Sequence, residues 1–145
     1  MIIQPFFTKG IAHSSYLLGD LGICAIVDPR RDVDIYIGAA KSLDMKIAHI
    51  LETHLHADFV SGHLDLAEKT RAEIYAPKSG ECEFEHVGLS ENDSFLIGNY
   101  LTTCGRNPED DRQMVHDLGL SIDKYKSFDS PIRKIDQFVG MQDAR

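Results

Sequence analysis

Three of the chain's seven histidines fall within the eleven residues Thr53-His54-Leu55-His56-Ala57-Asp58-Phe59-Val60-Ser61-Gly62-His63. Imidazole and carboxylate are the usual ligands of zinc and of non-haem iron, and ligands crowded on one short loop share little chain entropy cost when an ion gathers them. The stretch therefore reads as a metal site with His54, His56 and Asp58 as candidate ligands. His63, one helical turn further on, is a fallback ligand. His116 beside Asp117 is the only later histidine next to a carboxylate; on a polar helix such a residue is ordinarily just solvated.

The elements that must hold this loop can be read from its flanks. Ile47-Ala48-His49-Ile50-Leu51 is apolar enough for a buried strand, with the strand extending over Lys46 to Thr53, and Ser61 followed by Leu64, Leu66 and Ala67 reads as a capped helix. The histidines then sit at the carboxyl end of a strand, where α/β sheets commonly place their chemistry. Earlier, His13 to Asp20 and Gly22 to Asp28 are two strand-like runs joined by a tight Asp-Leu-Gly link, a hairpin. Asp32 or Asp34 can cap a helix through Tyr36, Ala39, Ala40 and Leu43. Asp28 before Pro29 is a turn residue on its own reading. Downstream, Arg71 to Pro77 reads as a short strand, followed by Glu83 to Val87 and Ser94 to Gly98 as continuations of the sheet. His86 reads as a surface or satisfied histidine, and Glu81, Glu83 and Glu85 as a solvated strand face.

Thr-His-x-His-x-Asp at the end of an apolar strand resembles the signature of the metallo-β-lactamase superfamily. The longer form, His54 through His63, most resembles its persulfide dioxygenase branch. The resemblance covers about residues 1–103 and implies the amino-terminal half of an αββα sandwich, an α/β fold with hairpin, helix, strand, histidine loop and helix in order. It implies one iron ion, with zinc as the alternative, His54 as a first ligand, and His56 and Asp58 beside the metal. Asp28 would match an early aspartate that supports the site without being a primary ligand. Relatives with two metals carry a second histidine after the aspartate. Here that residue is Phe59, which has no lone pair for an ion.

The family pattern then breaks off. The second histidine ligand and the later aspartate ligand of relatives have no match after Thr103. Residues 104–145 carry 15 charged positions in 42, against 23 in the 103 before them. Asn107-Pro108 followed by acidic residues, and Ser130-Pro131, each start a short helix, with Met114, Val115 and Leu118 and then Ile132, Ile135, Phe138 and Val139 on their apolar faces. The expectation is a half domain over 1–103 and a charged helical tail over 104–145. One sheet face would lack its usual second sheet, to be covered by the tail helices or by a second copy in a homodimer.

Composition sets outer limits. With 145 residues, 43% of them hydrophobic, the chain can bury a single core. A formal net charge of −8 argues against nucleic acid and anionic membranes and suits a small or neutral substrate; the resemblance implies that this is a small thiol or persulfide. Met1 to Phe7 lacks a basic leader region and no apolar run approaches membrane-spanning length, so the expected location is cytoplasmic. Cys24, Cys82 and Cys104 form neither a disulfide framework nor a thiolate zinc motif, and read as buried or half-buried thiols. Three functions stay open: an iron persulfide dioxygenase-like enzyme taking glutathione persulfide to sulfite, a hydroxyacylglutathione hydrolase-like metallohydrolase, and a shortened, catalytically silent relative acting by association. The expected behaviour is weak binding of iron or zinc, weaker as pH falls through the imidazole range, with little or no persulfide oxidation.

Overall fold

The computed structural model describes residues 1–11, 13–57, 59–103 and 142–143. Its order is β1 (Ile2–Thr8), β2 (His13–Asp20), β3 (Ile23–Val27), α1 (Asp34–Ser42), β4 (Lys46–Leu51), α2 (His63–Thr70), β5 (Glu73–Pro77), β6 (Val87–Leu89), β7 (Ser94–Ile97), β8 (Tyr100–Thr103) and β9 (Gln142–Asp143). Strands β1 to β6 lie side by side in chain order in one sheet, and β7 to β9 form a second. β1, β2 and β3 are antiparallel, whereas β3, β4, β5 and β6 run parallel. Parallel neighbours require crossovers, and α1 and α2 supply the first two.

Local sequence accounts for the joints. The β2–β3 turn places Leu21 at φ 47° and Gly22 at φ 77°, the positive angles that a two-residue turn needs to match strand twist. Pro5 sits in β1, the edge strand, where a missing N–H costs no central ladder bond. α1 starts at Asp34 after Val33 with no side-chain cap, so the caps expected from Asp32 and Asp34 are not made; at α2, Ser61 Oγ accepts the His63 N–H at a long 3.4 Å. Burial of one face compensates. Tyr36 of α1, fully buried, packs edge-on to Phe6 at 5.0 Å. Its hydroxyl lies 2.6 Å from Ser15 Oγ and accepts the Arg30 N–H at 2.9 Å, so that burial leaves no orphan polar group.

Two apolar layers flank the large sheet. On the helix side, Leu17, Ile26, Ile50, Ile74, Tyr36 and Leu66 form one cluster. On the other side, Leu18, Ala25, Val27, Leu51 and Tyr75 join Leu89 and Ile97. Each fully buried Leu or Ile stabilises the fold by roughly 1.5–3 kcal/mol. The second cluster corrects two expectations. Ser94–Ile97 does not continue the first sheet but pairs with β8 in a separate sheet, and β7 contacts β2 and β3. The face expected to be bare thus carries a three-stranded layer. The strand expected over Glu83–Val87 is likewise shorter, beginning only at Val87, because His86 Nδ1 turns back to Phe84 O at 2.7 Å instead of following a ladder. The two helices expected in the tail lie outside the described residues; Gln142 and Asp143 pair with β8.

Two consequences are measurable. His49 meets Tyr75 edge-on at 5.5 Å and Phe95 at a tilt at 5.8 Å, with Nδ1 buried and unpaired. Burial holds its pKa below the ordinary 6.5, against the pull of Glu73. The unfolded chain therefore binds more protons below about pH 6.5, so stability is present above that value and falls as the solution is acidified. His49→Gln should flatten the decline in urea-unfolding free energy between neutral and mildly acidic pH; an unchanged slope would refute the assignment. The second concerns Gly62, where an added Cβ would sit 2.3 Å from Arg30 O and 2.7 Å from Val33 Cγ1. Gly62→Ala should cost about 1–3 kcal/mol, because a backbone carbonyl must move to admit the methyl group.

Candidate metal centre

β3 and β4 are parallel neighbours, so their carboxyl ends deliver Asp28 and Thr53 side by side. Asp28 N–H donates to Leu51 O at 2.8 Å, extending the ladder by one bond, and the chain then turns at φ 48°. That left-handed angle is uncommon for a residue with a Cβ. It aims the Asp28 carboxylate at the start of the histidine loop. Oδ1 accepts the Thr53 N–H at 2.7 Å and Oδ2 accepts the Thr53 hydroxyl at 2.6 Å. The other end of the loop is tied to the next residue, where Pro29 O accepts the Gly62 N–H at 2.8 Å and lies 3.1 Å from Ser61 Oγ.

These contacts order the imidazoles. Thr53 Oγ1 gives its proton to Asp28 and lies 2.9 Å from His54 Nδ1. It can then only accept from that ring, so His54 carries its proton on Nδ1 and its lone pair on Nε2. His56 Nε2 is 3.3 Å from Asp28 Oδ1, is buried, and completes no aligned hydrogen bond. The His54 and His56 rings are 4.1 Å apart. One donor atom each from Asp28, His54 and His56 lie within 4.8 Å of one another. Two imidazoles and a carboxylate at that spacing, with a buried nitrogen awaiting a partner, fit a single zinc or non-haem iron ion.

Asp28 therefore does more than turn the chain. Thr53 and Asp28 form the orienting layer behind the imidazoles, and Asp28 is close enough to join the donor set. His63 is not brought into it: its ring lies tilted against Phe84 at 4.4 Å, with Nδ1 3.6 Å from Glu52 Oε1. Burial lowers its pKa, Asp65 opposes and His56 adds to the lowering. Asp58 and His116 lie outside the described residues. Phe59 lies 4.4 Å from the His56 ring, so the position that two-metal relatives give to a histidine is filled by an apolar ring.

Sequence reasoning missed two groups. Glu52, 2% exposed, accepts from Ser61 Oγ at 2.7 Å and closes the base of the loop. Its burial, and then the Asp28 carboxylate, push its pKa up to about 8 against the Ser61 hydrogen bond. His13, buried at the start of β2, meets Phe59 at 4.4 Å and His56 at 5.6 Å. Its signal lay in the hairpin register: Tyr16 pairs with Val27, which puts His13 beyond the strand end where Asp28 stands.

Known proteins resemble this chain over part of its length. ETHE1 from Myxococcus xanthus superposes with a TM-score of 0.69 at 25% identity over 72% of this chain and 48% of its own. The hydroxyacylglutathione hydrolase of Pseudomonas syringae pv. syringae is 31% identical over 84 residues, 57% of this chain and 32% of that protein. A shorter match, 67% identical over 27 residues, is to a biotin synthase of Geobacter sulfurreducens and spans 19% of this chain and 8% of that protein. The chain thus spans about a third to a half of the length of the hydrolase and ETHE1. The Metallo-beta-lactamase superfamily pattern matches residues 8–133, past Thr103 and into the charged tail. With strand-end aspartate, histidine loop and layered sheets all in that pattern's range, this chain belongs to the metallo-beta-lactamase superfamily.

Proposed function

We propose that the chain binds a single metal ion, iron in preference to zinc, in a site of the persulfide dioxygenase type whose substrate is a small thiol-derived persulfide. The observation that carries this reading is the grouping of Asp28, His54 and His56 donors within 4.8 Å at the carboxyl ends of two parallel strands. Phe59 beside His56 favours one ion over two. When bound, iron would supply the Lewis acidity and redox capacity that sulfur oxidation by dioxygen needs. The residues themselves hold the ligands: Asp28 fixes Thr53, Thr53 fixes the His54 tautomer, and Pro29 fixes the far end of the loop. Phe59 sets an apolar ring 4.4 Å from the His56 ring, whose side chain is only 6% exposed.

A second reading has its own support in the hydroxyacylglutathione hydrolase match, which points to a zinc-activated water and a thioester substrate. Metal content separates the two. In both readings the downstream histidine and aspartate ligands expected from relatives have no counterpart among the described residues, so turnover by the chain alone is expected to be small.

Protein purified without chelators should retain up to one equivalent of iron, and titration of the apo protein should give a weak site that His54→Ala abolishes. Zinc in place of iron would favour the hydrolase reading, and equal binding by His54→Ala would refute both. Asp28→Ala should lower metal affinity by about 10- to 100-fold. It should also cost about 1–3 kcal/mol of apo stability, because the buried Thr53 N–H loses its acceptor. Calorimetric metal titration and urea unfolding of the same variant check both effects; wild-type values in either would contradict the role given to Asp28.

A further inference from the structure

A metal-binding imidazole needs its ring held at one angle, and His56 gets little of that from hydrogen bonding. Its Nε2 is 3.3 Å from Asp28 Oδ1 without an aligned bond, although the side chain is only 6% exposed. The torsion that turns a histidine ring is broad and roughly two-fold, so a buried ring without an aligned hydrogen bond must be held by packing. Three rings surround it: His54 at 4.1 Å, Phe59 at 4.4 Å and tilted 43°, and His13 edge-on at 5.6 Å and 83°. His13 and Phe59 also meet each other at 4.4 Å. They come from different parts of the chain to the same side of the ring, Phe59 from the histidine loop itself and His13 from the β1–β2 hairpin, where it pairs with Thr8.

From this we infer that His13 and Phe59 form an aromatic wall that positions the His56 ring, making the amino-terminal hairpin part of the metal site. His13 acts through its ring face and edge and not as a ligand, since it lies outside the group of donors within 4.8 Å. Phe59 then has a positive role beyond the loss of a second-metal ligand. The ring that replaces a histidine also braces the neighbouring one. The inference rests on the metal-binding reading but extends to a part of the chain, residues 2–13, that the motif does not include.

The test compares full-length His13→Ala, His13→Phe and Phe59→Leu with the wild type by cobalt(II) titration, and by long-range proton–nitrogen spectra of the histidine rings without metal. The wild type and His13→Phe should show one narrow, ring-current-shifted set of His56 signals and equal cobalt affinity. His13→Ala should average those signals and bind cobalt about 10- to 100-fold more weakly, the loss expected when an orienting partner of a ligand is removed. Phe59→Leu should lie between. Unchanged spectra and affinity in His13→Ala would overturn the inference, as would His13→Phe binding as weakly as His13→Ala, which would mean that the imidazole nitrogen is what matters. If the wild type bound no cobalt, the metal-binding reading would fail while the apo spectra still decided whether the wall holds His56.

Discussion

The Asp28 corner is the contact on which the site depends. A residue with a side chain takes a left-handed backbone angle at the end of β3, a conformation that costs on the order of 1–3 kcal/mol in general. What offsets it is the carboxylate's double acceptance from Thr53, together with the backbone bond to Leu51. The following carbonyl, on Pro29, holds Gly62. Two consecutive residues thereby fix both ends of a loop that carries His54, His56 and Phe59. Without them the loop would be an ordinary strand-to-helix connection, and its imidazoles would pay their ordering entropy on binding an ion.

This dependence runs back into the packing. Asp28 can reach Thr53 only because β3 and β4 are parallel and in register, Val27 opposite Leu51. That register is held by the apolar clusters on either side of the sheet, Ile26 and Ile50 towards the helices and Val27 and Leu51 towards the second sheet. Gly62 permits α2 to start against the Arg30 carbonyl, closer than any side chain would allow. Burial, register and loop geometry are therefore one structural argument with the metal chemistry at its end.

Much of this was legible in the sequence. The hairpin, first helix, apolar strand, histidine loop and second helix were readable because each has a clean periodicity or turn signal, and the Thr-His-x-His-x-Asp spacing pointed to the site. The role of Asp28 was only half legible, since a residue before proline is equally a turn residue and its contact with Thr53 depends on pairing between strands 25 positions apart. His13 was hidden for the same reason: its contact with His56 arises from hairpin register and not from spacing. Ser94–Ile97 was assigned to the wrong sheet, because a short strand with partial alternation carries no mark of which neighbour it pairs with. The first helix lacks the cap its sequence offered, as happens when tertiary packing of an amphipathic face supplies the stability instead.

X-ray absorption at the metal edge of the loaded protein tests the central claim most directly, because multiple scattering counts imidazole rings. Two imidazoles are expected in the wild type, with oxygen donors completing the shell, and no bound metal to measure in His54→Ala. Sulfur scattering from a cysteine, or a shell with no imidazole at all, would contradict it.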